Sequence, residues 1–245
     1  MTDVPLNHFY VTPDRATFEA AERGGLSQLS GALEKRTTVR KDTTYSGLYL
    51  YGEHTYLELL HPDSASFGAP SGIAYGVETP GGLVEVCEAM GASRLEEVSR
   101  GDVPWFRSCR PEQLRGLSEW VMEYVPAFFR GFHPELPPSR PGIARSDALT
   151  RYAASCGKQR ERAEGLFEDV VALEIALGRR EAEIWSARPV RIADADIRIS
   201  LAQDSSPAGI RAAHLRLRHD AGSSVRRIGS TTLSLDGRSA VWRFQ

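Results

Sequence analysis

Residues 55–62 read TYLELLHP. In an extended chain positions i and i+2 share a face, so Tyr56, Glu58 and Leu60 fall on one side and Leu57, Leu59 and His61 on the other. A Glu inside a short apolar strand, just before a His-Pro exit, invites a search for its counterpart. SEWVMEYVP (118–126) is that counterpart, with Glu123 set among aromatic and apolar residues and Pro shortly after. Glu58 and Glu123 are 65 positions apart, and so are His8 and Ile73 in the strands LNHFYVTPD (6–14) and GIAYGVETPG (72–81). One period recovered from two separate pairs points to an internal duplication.

The stretches between these strands complete a unit. RATFEAAERGGLSQLS (15–30) has helical spacing weakened by Gly24-Gly25. EKRTTVRKD (34–42) and YSGLYLYGEH (45–54) read as strands, so TYLELLHP closes a strand–helix–three-strand series. The series restarts at residue 72, with a helix at 82–93 closed by Gly91, two strands in 94–110 divided at Gly101-Asp102, and LSEWVMEYVP (117–126) as the last strand. Residues 127–150 carry four prolines and read as an irregular crossing, followed by a helix over about 147–166. The last third reads as a strand (167–177), a short helix (178–188), one or two strands (189–203), another strand (209–220) and a hairpin turning at Asp236-Gly237. It is again strand, helix and several strands, the order of a third and more divergent copy.

The fold expectation is α+β, with duplicated βαβββ units forming a curved mixed sheet cup and an additional C-terminal α+β unit. Three segments follow: the paired domain at 1–130, the crossing and helix at 131–166, and the C-terminal unit at 167–245.

Composition excludes several classes. A charged fraction of 25% and a net charge of −2 give no global pull toward nucleic acid or anionic membrane. No run approaches the length of a membrane span, and MTDVPLNHFYV lacks a basic-then-apolar leader pattern. A cytoplasmic protein is expected. Cys87, Cys109 and Cys156 form no CxxC pair, so idle or buried thiols are expected in place of a disulfide framework or structural zinc.

The duplicated unit, with His8 in LNHFYVTPD, Glu58 in TYLELLHP and Glu123 in SEWVMEYVP, resembles the glyoxalase and bleomycin-resistance class, the vicinal oxygen chelate superfamily. In that superfamily paired units curl into a cup, and a His and a Glu from each half commonly hold a metal. The resemblance implies His8, Glu58 and Glu123 as ligands, with Glu58 and Glu123 also as catalytic carboxyls. The fourth corner, among Gly72, Ile73, Ala74 and Tyr75, offers no usual ligand. One imidazole and two carboxylates suit iron, manganese, zinc or nickel. Three protein ligands would leave room for a chelated substrate.

Tyr10, Tyr49, Tyr51, Trp105 and Trp120 are candidates for an aromatic substrate pocket, and Arg107, with Arg110, for pairing a substrate carboxylate. The expected activity is that of a glyoxalase-like isomerase, lyase or oxygenase acting on an oxygen-rich small molecule, in specialised metabolism or detoxification. Two other readings stay open: a non-catalytic antibiotic- or metabolite-binding protein, and a metal-free enzyme with a Glu general base. The C-terminal unit is consistent with covering the sheet or with forming a homodimer.

Overall fold

The computed structural model describes residues 2–29, 32–39, 44–64, 68–92, 94–100, 102–131, 144–203 and 208–244. Arg40, Lys41, Gly101 and His133 lie outside them. After a short strand β1 (Thr2–Val4), the first unit comprises β2 (Leu6–Val11), α1 (Arg15–Ala20), β3 (Ala32–Val39), β4 (Thr44–Tyr51) and β5 (Tyr56–Leu60). The second comprises β6 (Ser71–Gly76), α2 (Leu83–Ala89), β7 (Leu95–Arg100), β8 (Val103–Cys109) and β9 (Ser118–Tyr124).

These strands form one eight-stranded sheet in the order β3-β4-β5-β2-β6-β9-β8-β7. In each unit the first strand lies parallel to the last, β2 beside β5 and β6 beside β9. The units meet through the antiparallel pair β2–β6. The duplicated βαβββ cup is therefore present, and it is a mixed α+β fold.

Asp14 starts α1 by accepting from the Thr17 amide and hydroxyl, the usual service of an N-cap side chain. The helix passes into a π-helical turn, Ala21–Gly25. Phe18 of α1 and Leu83 and Val86 of α2 bury against the convex face, with Phe9, Leu48, Leu50, Leu57, Leu59 and Ile73 of the sheet. The alternation explains the split, since odd positions of β5 and β6 face the helices while Tyr56, Glu58 and Ala74 face the hollow.

Cys87 of α2 and Cys109 of β8 are joined in a disulfide, with Cα atoms 6.1 Å apart. This corrects the expectation of idle thiols. Helix packing brings together two residues 22 positions apart that no local motif links, leaving Cys156 as the free cysteine.

The segment after β9 begins with α3 (Pro126–Gly131) and continues in α4 (Arg145–Ser155) and α5 (Gln159–Glu164). The expected single helix over 147–166 is two, because Gly157 adopts φ +67° between them. Such left-handed backbone ends a helix.

The last third comprises β10 (Phe167–Leu177), α6 (Arg179–Ser186), β11 (Val190–Ile192), β12 (Asp196–Leu201), β13 (Gly209–Leu217), β14 (Ser223–Ile228), β15 (Thr231–Asp236) and β16 (Ser239–Arg243). Its six-stranded sheet runs β12-β10-β13-β16-β15-β14, and β11 pairs with β1. This topology does not repeat the βαβββ unit. Here the parallel partner of the opening strand is β12, the second strand after α6 and the next one of the same sheet, whereas in the cup it is the last strand of the unit.

The turn after β4 docks closely on β10. A Cβ on Gly52 would stand 2.2 Å from the Glu168 carbonyl oxygen, so only glycine fits there. No helix among the described residues is long and apolar enough to cross a membrane.

Candidate functional site

The concave face encloses a cavity of about 110 Å³ lined by both units and by the covering helices. His8 and Tyr10 of β2 and Tyr56 and Glu58 of β5 form one wall; Trp105 and Phe106 of β8 and Trp120 and Met122 of β9 form another. Tyr152 and Leu149 of α4, with Phe128 of α3, cover the hollow.

His8 is buried and tightly oriented. Its ring stacks on Tyr56 with centroids 4.2 Å apart, and Trp120 meets it edge-on at 5.2 Å. Its Nδ1 lies 2.7 Å from Asn7 Oδ1, while Asn7 also bonds Tyr124. With an amide oxygen opposite, Nδ1 carries the proton and Nε2 presents its lone pair. That lone pair faces Glu58 Oε1 at 3.6 Å. Burial, reinforced by the positive charge of Arg36, pushes the His8 pKa down to about 3, so the imidazole is neutral at ordinary pH.

Glu123 is elsewhere. Its oxygens accept from the Gly81 and Leu83 amides at the start of α2, at 3.1 and 3.0 Å, and from Arg107 at 2.6 Å. Both Glu123 and Arg107 therefore project from the convex face, which corrects their expected place in the cup. The error lies in the 65-residue period. His8 pairs with Ala74 across β2–β6, Tyr56 lies beside His8, and Trp120 lies beside Ala74. With the His8–Ala74 pair as pivot, Met122 stands where the first unit has Glu58. A shift by one residue turns a strand position to the other face.

Tyr10, Tyr51, Trp105 and Trp120 line the cavity. Tyr49 belongs to the same aromatic layer but is covered by Arg36, whose guanidinium carbon lies 3.9 Å from its ring centre. Arg110 reaches the cavity above Trp120. Arg36 had no signal of its own in the sequence beyond its position on a β-branched strand.

The donor set does not fit the metal site that the resemblance implies. Ala74 and Met122 hold the second unit's two corners, and Glu123 is committed to a helix start on the other face. Glu96 also lines the cavity, but among the described residues no third His, Cys, Asp or Glu gathers with His8 and Glu58, and the pair falls short of the three protein ligands usual for catalytic zinc.

A different group does converge among the described residues. Glu53, His54 and Asp169 each place one ligand-type atom within 4.8 Å of the others. Arg216 and Arg218 already pair with Asp169 and Glu53. Asp169 also accepts from the His54 and Thr55 amides, the His54 ring and the Thr55 hydroxyl. This cluster joins the β4–β5 turn to β10 and lies apart from the cavity lining.

A family model matches residues 6–244. The chain belongs to the DUF5829 family, a family of unknown function. No curated protein matches the chain. Among solved structures, a mutant of 4-hydroxymandelate synthase from Streptomyces coelicolor is similar at 15% identity, with a TM-score of 0.37, over 95% of this chain and 57% of that one. The chain thus spans little more than half the length of that protein.

Proposed function

We propose that this chain is a small-molecule enzyme of the glyoxalase-like class in which Glu58, with His8 beside it, moves a proton on its substrate without a metal in the cup. The observation that carries the reading is the facing of His8 Nε2 and Glu58 Oε1 at 3.6 Å inside an aromatic cavity. A neutral imidazole lone pair beside a carboxyl oxygen offers a substrate proton two adjoining acceptors.

The chemistry follows from that arrangement. Glu58 takes a proton from the carbon or oxygen next to a substrate carbonyl, and His8 Nε2 can share it. Its return to a neighbouring atom completes an isomerisation, while departure of a leaving group completes an elimination. Arg110 carries permanent positive charge at the cavity, above Trp120, and opposes the negative charge that develops on the substrate oxygen. Tyr56, Trp120 and the covering α4 limit water access, which strengthens these interactions.

The test is solvent-deuterium exchange, followed by proton NMR, across a panel of α-hydroxy and α-keto compounds in the presence of chelator. Wild type is expected to exchange at least one of them, and Glu58→Gln to lose about 10²-fold or more of the rate. Exchange that requires added metal, or that is unchanged in Glu58→Gln, would overturn the reading.

A further inference from the structure

We propose that the cup takes a carboxylate carried on a single planar ring, and that Arg36 is the residue that reads the carboxylate. This rests on the cavity being the substrate site, as proposed above. The Arg36 side chain is 13% exposed and lines the cavity wall. One terminal nitrogen donates to the Tyr152 hydroxyl, and Nε is buried without a hydrogen-bond partner. Glu34 forms an ion pair with it at 3.7 Å, longer than a hydrogen bond, and receives the Tyr51 hydroxyl at 2.5 Å. A buried guanidinium with unspent planar donors is costly, and a carboxylate satisfies it through two parallel bonds.

The rest of the cavity sets the body of the ligand. Tyr56, Trp105, Phe106, Trp120 and Tyr152 give it aromatic walls. Its volume is about 110 Å³, less than the about 150 Å³ of an apolar cavity that accepts benzene, so the space admits at most one ring and no fused system. Arg36 and Glu58 are separated by the intervening strand β4, two strand spacings or about 10 Å across the floor. A ring anchored at Arg36 by its carboxylate can therefore extend toward the Glu58–His8 pair.

The probes are benzoate, benzamide and benzylamine, titrated calorimetrically into the full chain. Benzoate is expected to bind wild type at least about tenfold more tightly than benzamide. Arg36→Gln should bring the two within about twofold while the thermal midpoint stays near wild type, and Arg36→Lys, which keeps the charge, should retain part of the preference. The proposal is overturned if benzamide or benzylamine binds wild type as well as benzoate, if benzoate does not bind, or if the preference survives Arg36→Gln. Should Arg36→Gln not fold, Arg36→Lys decides: an undiminished preference overturns the proposal. Glu58→Gln separates the two readings, because it should keep the benzoate preference even where proton transfer is lost. An intact preference with exchange that ignores Glu58 removes the proposed function and leaves this inference standing.

Discussion

His8 Nε2 faces Glu58 Oε1 at 3.6 Å from adjacent parallel strands, and Tyr56 stacks over the imidazole. The pairing comes from register: Tyr56 sits beside His8, so Glu58 is two residues further along the same face. His8 is folded in its neutral form, with a pKa of about 3 set by burial and then by Arg36. The unfolded chain binds a proton at this residue near the ordinary value of about 6.5, so between that pH and 3 the unfolded state holds more protons. Stability therefore falls as pH drops through this window, by up to about 1.4 kcal/mol per pH unit from this group. Chemical denaturation of wild type and His8→Gln at pH 7, 5 and 4 checks it; the variant should lose less between 7 and 4.

Glu123 caps α2 and pairs with Arg107 on the convex face. Glu123→Ala should cost about 1–3 kcal/mol, the scale for stranding buried donors, and leave ligand affinity in the cup unchanged. Thermal melts with a parallel titration of benzoate check both halves. A change in affinity without a change in stability would place Glu123 in the cup after all.

The Cys87–Cys109 link closes a loop of 22 residues, for which chain entropy gives about 3 kcal/mol of stabilisation. Denatured protein without reductant should titrate as one thiol, Cys156, and as three after reduction. Such links belong mostly to oxidising compartments, so the same measurement on protein from its native setting bears directly on where the chain resides.

His54 is tied to Asp169 by a 3.0 Å contact, and that hydrogen bond holds its pKa above the ordinary value. The sign is opposite to that of His8. The stabilisation is fully present below about 6.5 and is lost as pH rises through the elevated folded value. An NMR titration should place the His54 midpoint above 6.5 in wild type and lower in Asp169→Asn. Because Arg216 and Arg218 already balance the acids, zinc titration should show no site that Asp169→Asn abolishes.

Much of the cup is legible in the sequence, for a physical reason. Half-buried strands write an alternation that Tyr56, Leu57, Glu58 and Leu59 display openly, and the same order of elements occurs twice. The period of 65 fails for a reason just as simple: the units correspond at His8 and Ala74, 66 residues apart, and at Tyr56 and Trp120, 64 apart, and a frame off by one residue turns a strand position to the other face. Glu123 and Arg107 follow their strand's parity to the wrong side. Arg36, the disulfide and the Asp169 cluster arise from contacts across distant segments, which no local pattern encodes. The C-terminal third opens like a cup unit, with a strand and a helix, but six strands follow and pair differently, which the opening order alone does not reveal.

Ala74 and Met122 stand where the first unit has His8 and Glu58, so a nearly two-fold frame carries its imidazole and carboxylate on one wall only. Under the proposed function, a flat intermediate lying in the cup would meet Glu58 from a single side. The loss of symmetry in the side chains would then dictate handedness: a proton added to a trigonal carbon there would arrive on one face and give a single stereoisomer.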